Sequence, residues 1–400
     1  MGRMTDFSIQ LEKLNQAVEI LQEKQIDAWM TFVRETAHNA DPALGLIVGM
    51  NLTWQSAFII TRTGEKIAIV GRYDVENIER IGGFTEIIGY DQSIQPELNR
   101  VLERLHPRQI ALNYSENDSA ADGLSHGMYM ILKRYLQGTS YELISAEGIL
   151  NSLRGRKSAT EIARIRQAVK ATEEIIAQIT AYLRPGLHEL EIAAFIHAEM
   201  TKRGLTPAWE PEYCPIVNCG PDSPIGHAAP SDKYVSRAGQ LVHVDLGVYF
   251  EDYVSDMQRV WYLQPAGETS VPQSILDGFK VVWGAIQAAA DIMRPGVTGN
   301  AIDTAARQHI IQNSYPEFMH ATGHQIGRTV HDGSTLLGPM WEKYGQSPQG
   351  LLEVGNIYTL ELGVQVPHYG LVALEEDVLV TEDGMEWLAA PQTEPIIVKV

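Results

Sequence analysis

Cysteine is almost missing from this 400-residue sequence, which carries only Cys214 and Cys219. Two thiols cannot build a disulfide framework in a chain of this size, so a reducing, cytoplasmic setting is expected. Long apolar runs are missing too. No stretch approaches the roughly 18 residues needed to span a bilayer, and the opening MGRMTDFSIQLEKL has no apolar segment of signal-peptide length. Positive charge is scarce: 31 Lys and Arg stand against 50 Asp and Glu, a formal net charge of −19. Such a surface repels phosphate backbones and anionic lipids, which argues against nucleic-acid and membrane partners. What is left is an ordinary soluble composition, 44% hydrophobic and 20% charged. Its length suits two or three domains at about 100–200 residues each.

Residues 1–152 alternate helical and strand patterns. Ser8–Lys24 places Leu11, Leu14, Val18 and Leu21 at helical spacing. Short apolar runs follow at Trp29–Phe32, Ser56–Thr61, Lys66–Val70, Glu86–Ile88 and Gln109–Leu112, separated by turn signals such as Thr63-Gly64 and Gly82-Gly83. This pattern predicts an α/β domain with a partly parallel sheet. A basic connector, Arg154-Gly-Arg-Lys157, leads to Ser158-Ala-Thr-Glu161, which reads as a capping box opening a helix. The helix stops at Arg184-Pro-Gly186, and a second follows from about Glu189 to Gly204. The same construction recurs downstream: a helix over about Ser274–Met293, a stop at Arg294-Pro-Gly296, and a helix from about Asn300 to Gln312. Each helix pair precedes a strand-rich stretch, the mark of a weak internal duplication within 153–400.

The chemistry-bearing residues lie in those strand-rich stretches. Gln240–Phe250 alternates Val242, Val244, Leu246 and Val248 against Leu241, His243, Asp245 and Gly247, a period of two. Tyr253–Tyr262 reads as its hairpin partner, and a turn at 250–251 would set Asp245 opposite Asp256. Ile357–Val366 and Leu371–Val380 form a second predicted hairpin, which sets Glu361 opposite Glu375. Opposed residues have Cβ atoms roughly 4.5–5.5 Å apart, so half-buried carboxylates at that distance repel unless something positive lies between them. Between the hairpins comes Thr322-Gly-His-Gln-Ile-Gly327, with His331 just beyond. Four carboxylates and an imidazole suit two hard-to-borderline divalent cations bridged by carboxylates.

At these residues the sequence resembles the pita-bread metallopeptidases, the group of methionine aminopeptidase, aminopeptidase P, Xaa-Pro dipeptidase (prolidase) and creatinase. The matching segments are Arg156-Lys-Ser158 with Glu161-Ile162, His227-Ala-Ala-Pro230, Asp245-Leu-Gly247 and Tyr253-Val-Ser-Asp256 with Arg259. They continue through Gly323-His-Gln-Ile-Gly327 with His331-Asp332, Thr359-Leu-Glu361, and the run from Leu374 to Gly384. The resemblance implies an α/β (α+β) chain with a creatinase-type N-terminal domain over 1–152 and a pita-bread catalytic domain over 153–400. By the same resemblance Asp245, Asp256, His324, Glu361 and Glu375 are the five ligands of a dinuclear centre, with Asp256 and Glu375 bridging. It makes His227 and His331 active-site histidines, Glu361 the general base as well as a ligand, and His320 and Tyr253 substrate-binding residues.

The implied activity is dinuclear-metal-dependent hydrolysis of the N-terminal bond of small peptides, at Xaa-Pro bonds. The carboxylate-rich set favours manganese, with cobalt, iron or zinc as alternatives. The resemblance also implies a homodimer. A creatinase-like C–N hydrolase on the same scaffold, or an inactive binding protein, are the competing readings, but creatinase does not need the five ligands and an inactive relative is expected to lose some. Three positions depart from the family pattern. Leu362 stands where Pro is common, Ala373 where the proline-directed enzymes usually carry Arg, and Gln258 where Thr is common. All three lie beside metal ligands in the sequence, so they bear on substrate choice.

Overall fold

The computed structural model describes residues 6–226 and 228–400. It divides into two compact units, Met1–Arg154 and Gly155–Val400.

The first unit is built on a six-stranded sheet in the order Glu86–Tyr90, Lys66–Gly71, Ser56–Thr61, Ala28–Val33, Gln109–Leu112, Glu142–Ser145. The three central strands pair antiparallel, and the outer neighbours pair parallel. Ala28–Val33 and Ser56–Thr61 are buried along their whole length, because alternate residues serve two separate apolar layers. Trp29, Phe58 and Ile60 meet Leu14, Ala17 and Leu21 of helix Ser8–Lys24. Met30, Phe32 and Ile59 meet Leu98, Val101 and Leu132 from the helices on the other face.

The second unit repeats one construction. Helices Ala159–Tyr182 and Glu189–Lys202 precede the first group of strands, and helices Gln273–Ala290 and Gly299–Gln312 precede the second. Ser158 and Glu161 close the expected capping box. Both Arg-Pro-Gly stops turn through glycine in the left-handed region, Gly186 at φ +92° and Gly296 at φ +85°. Each of these glycines donates its N–H to a downstream carbonyl at 2.8 Å, Ser236 in the first half and Leu352 in the second.

The main sheet of this unit runs Ile357–Val366, Gly370–Val380, Met257–Gln264, Leu241–Leu246, Ile216–Cys219, with antiparallel neighbours. Period-two alternation sorts the second hairpin into two faces. Leu360, Leu362, Val364, Val372 and Leu374 join the core with Phe279, Val282, Ile286, Ile302 and Ile310 of the second helix pair. Glu361, Gly363, Gln365, Ala373 and Glu375 are left on the opposite face. Among the described residues no helix is long and apolar enough to cross a membrane.

Candidate metal centre

The strand register assembles a single row across the sheet. Ile216 pairs with Asp245, Asp245 with Gln258, Gln258 with Glu375, and Glu375 with Glu361. Glu361 therefore faces Glu375, as the sequence predicts. Asp245 does not face Asp256, and that expectation is corrected here. Glu251 and Asp252 both take left-handed conformations (φ +46° and +68°), which puts the two-residue turn at 251–252 and pairs Phe250 with Tyr253. The register moves accordingly, and Gln258 falls opposite Asp245. Asp256 shares the row's face, two residues ahead of Gln258, and its N–H donates to Asp377 Oδ2 at 3.2 Å.

His324 arrives from an irregular segment beside strand Ile357–Val366. Its N–H donates to Thr359 Oγ1 at 3.2 Å and its carbonyl accepts from Thr359 N at 2.9 Å, while Glu361 N donates to the Thr322 carbonyl at 2.8 Å. Thr322 Oγ1 in turn donates to Asp303, which forms a buried ion pair with Arg307 at 2.7 Å. Gly323 is required for this approach, because a Cβ there would lie 2.0 Å from the Thr359 carbonyl oxygen. Gly323→Ala should therefore displace His324 and cost about 1–3 kcal/mol of stability, read as a lower Tm together with weaker metal retention.

Asp256, His324, Glu361 and Glu375 of the expected ligand set come together, and Asp245 lines the same cavity. His324 Nε2 lies 3.6 Å from Glu361 Oε1 and 3.9 Å from both Asp256 Oδ2 and Glu375 Oε1. Such separations are too long for hydrogen bonds, and they leave room for a cation between the donors. Ligand atoms of Asp256, His324 and Glu375 all lie within 4.8 Å of one another. Asp245 Oδ1 and Glu375 Oε1 are buried without a hydrogen-bond partner. Buried carboxylate oxygens left unpaired in this way are costly unless a positive charge satisfies them, so the donor set fits divalent cations.

The electrostatics agree. Burial, followed by repulsion from neighbouring acids, pushes Asp245, Asp256 and Glu375 well above the ordinary carboxylate range. Burial raises Glu361 to about 7 and lowers His324 to about 3, with His331 adding to the latter. His324 is therefore a neutral imidazole at pH 7, the form that binds metal.

Gln258, itself in the row, is buttressed by His243 and Asn218 and ties the carboxylates together. Gln258 Nε2 donates to Glu375 Oε2 at 3.0 Å and to Glu361 Oε2 at 3.3 Å. Its carbonyl oxygen faces His243 Nε2 at 3.0 Å, and His243 Nδ1 faces Asn218 Oδ1 at 2.9 Å. The Asn218 amide nitrogen is held by Ser223 Oγ and the Pro224 carbonyl. Burial pushes His243 down to about 4, so the ring is neutral and its one N–H serves one of the two amide oxygens. His243 and Asn218 were not singled out from the sequence, although the period-two alternation already put His243 on the face of Asp245. Arg259 locks the same pair of strands from behind, donating to the Glu375 carbonyl at 2.9 Å and pairing with Glu376 at 2.9 Å.

Two cavities flank the carboxylates and share Ile216, Asp245 and Glu361 as walls. One, of about 380 Å³, is bounded by Ile225, Phe318, His320, Leu371 and Ala373. The other, of about 640 Å³, is bounded by Trp209, Glu210, Tyr213, Tyr249 and His331. The His331 ring stands edge-on to His324 at 4.4 Å. Tyr253 lines neither cavity. Its ring is fully buried and its hydroxyl donates to Glu161 Oε1 at 3.0 Å, so this expected substrate contact sits instead inside the scaffold. His227 lies outside the described residues.

Comparison with known proteins follows the same line. The model of metallopeptidase family M24 matches residues 163–382. A peptidase of Bacillus subtilis known as YqhT is 27% identical over 346 residues, covering 86% of this chain and 90% of its own. Among solved structures, an Xaa-Pro dipeptidase from Bacillus anthracis is similar with a TM-score of 0.72 at 24% identity, covering 97% of this chain and all of that one. The dipeptidase PepE from Mycobacterium ulcerans matches over the full length of both chains, with a TM-score of 0.72 at 23% identity. At such identities the structural likeness speaks for the fold.

Proposed function

The chain belongs to metallopeptidase family M24, and from that premise we propose that it hydrolyses the N-terminal peptide bond of small peptides, with proline as the favoured second residue. The observation that carries the reading is the gathering of four carboxylates, Asp256 and Glu375 buried and Asp245 and Glu361 half-buried, around one neutral imidazole, with three of them 3.6–3.9 Å from its Nε2. The proline preference rests on the sequence resemblance and on the Xaa-Pro substrate for which a structural neighbour is named.

In this reading Asp245, Asp256, His324, Glu361 and Glu375 would hold two divalent ions. Bound there, the ions supply Lewis acidity, lowering the pKa of water and polarising the scissile carbonyl. Glu361 accepts the proton of the attacking water, with its other oxygen steadied by Gln258 at 3.3 Å. His331, and His227 by resemblance, orient the substrate and donate to the developing oxyanion. Strands carry Asp245, Glu361 and Glu375, while Asp256 and His324 come from irregular segments beside them. Manganese is the metal best suited to so many carboxylate oxygens. The two free thiols, Cys214 and Cys219, agree with a cytoplasmic setting, and the family resemblance supports a homodimer and the assignment of 1–152 as the creatinase-type domain.

The test is metal analysis of freshly purified protein together with turnover of a panel of Xaa-Pro peptides. Absence of bound metal, or a metal-loaded protein inert on every peptide, would sink the proposal.

The raised carboxylates give a pH signature with a fixed sign. Folded, they hold protons more tightly than in the unfolded chain, where acids titrate near 4. The metal-free protein therefore loses stability as pH rises from about 4 toward 7, the value of Glu361. Cations need the deprotonated donors, so their binding strengthens over the same interval. Calorimetry should show the Tm of the metal-free protein falling from pH 5 to 7, while the increment added by manganese grows. An increment independent of pH would count against the proposed donor set.

A further inference from the structure

We infer that the preferred substrate is a peptide continuing past its second residue through an amide, and not a free dipeptide; the inference rests on the peptidase reading above. The starting point is the pair of positions next to the centre on the same face of the second hairpin. Glu361 faces Glu375, and one step along the face Gly363 meets Ala373. These are the two smallest side chains available. A Cβ on Gly363 would lie 2.9 Å from that of Ala373, so the floor of the smaller cavity is close-packed backbone and methyl. One step further Gln365 faces Leu371. Ile216 and Phe318 complete apolar walls. The polar groups at the inner end, Asn218, His243 and Gln258, are already committed to one another and to the carboxylates.

In a dipeptide the terminal carboxylate is one carbon removed from the scissile nitrogen. It cannot leave the neighbourhood of the centre and must sit in one of the two cavities. Among the described residues, neither cavity is lined by Lys or Arg. In the smaller one the ionisable side chains away from the centre are Glu317 and His320, and in the larger they are Glu210 and His331. Two divalent ions offset by the charges of Asp245, Asp256, Glu361 and Glu375 leave no net positive charge to attract it. A terminal carboxylate would therefore be desolvated with no Lys or Arg to pair with, would have an imidazole, His320 or His331, as its partner in place of a fixed cation, and would face Glu317 or Glu210 as like charge. An amide at the same place is neutral, and it lets the chain run outward. At the mouth of this cavity Ile225 and Met319 are 55% and 62% exposed, an apolar rim suited to the next side chain of a longer peptide.

The experiment uses the manganese-loaded full chain and matched sets: a dipeptide such as Ala-Pro, its C-terminal amide, and the tripeptide Ala-Pro-Ala, with a Leu series alongside. The amide and the tripeptide should exceed the free acid at least tenfold in kcat/KM, chiefly through KM. Ala373→Arg adds a cation to the cavity floor and should raise kcat/KM for the free dipeptide at least tenfold while leaving the amide no better. Equal or greater activity on the free dipeptide with the unaltered protein would overturn the inference while leaving the peptidase reading standing. A folded Ala373→Arg protein with no gain on the dipeptide would also overturn it. Failure to hydrolyse any member would instead remove the peptidase reading, and the inference with it.

Discussion

Glu375→Ala is expected to abolish hydrolysis and to strip most of the bound metal, while the chain stays folded. Glu375 is 1% exposed and stands in the row between Gln258 and Glu361. One of its oxygens accepts from Gln258, and the other faces His324 Nε2 at 3.9 Å with no hydrogen-bond partner. Under the proposed function a carboxylate so placed would be shared by the ions, and the metal chemistry it would anchor is worth several kcal/mol of transition-state stabilisation. Its loss corresponds to a fall of about a thousandfold or more in kcat. The fold should tolerate the change, because truncation removes one member of a set of mutually repelling acids, and Leu374 on the opposite face keeps its place in the core. In the absence of metal the Tm should hold or rise. Elemental analysis and turnover read the two halves of this expectation, and a variant with full activity and full metal content would refute the bridging role.

Repulsion among carboxylates is also what made the site legible in the sequence. Acids scattered on a surface carry no message, whereas acids at opposed positions of two hairpins demand a counter-charge. The Glu361–Glu375 pairing follows from a short turn over Pro367–Gly370, centred on His368, between the two predicted strands. The Asp245–Asp256 pairing fails for a local reason. The sequence puts the turn near Phe250-Glu-Asp252 but centres it one residue early, because Glu251 and Asp252 both adopt positive φ, a conformation that no Gly or Asn marks there. The face of each acid was nevertheless right, because moving the turn by one residue displaces the opposite strand's register by two and preserves the period of two. His324 could be proposed only from its motif. Its segment has no strand periodicity, and it reaches the sheet through Gly323, whose close approach to Thr359 depends on a missing side chain. Helices were the easiest part: Ser8–Lys24 and the capping-box helix Ala159–Tyr182 carry their periodicity and start signals openly. The smaller cavity was not legible at all, since it arises where Gly363 and Ala373 leave space across two strands.

Gln258→Leu should weaken manganese binding by about 10–100-fold, the usual consequence of removing a group that orients metal ligands. The amide is the shared donor for Glu361 and Glu375, so it sets the spacing and the free lone pairs of two carboxylates at once. Leucine keeps similar volume and leaves both oxygens, and the ring of His243, without their partner. Buried acceptors stripped of a donor repel one another more strongly, and both acids should then hold their protons to higher pH. The pH at which manganese binding reaches half its maximum should therefore move upward in the variant. Gln258→Thr should behave differently: one hydroxyl can donate to a single carboxylate, so affinity should fall less than with leucine. Calorimetric titration of both variants across pH separates these effects from a general loss of fold, which would lower Tm equally in metal-free protein without displacing the pH midpoint. Unchanged affinity and an unchanged midpoint in Gln258→Leu would mean that the carboxylates are held by the strands alone, and that the chain Asn218–His243–Gln258 serves packing and not the metal.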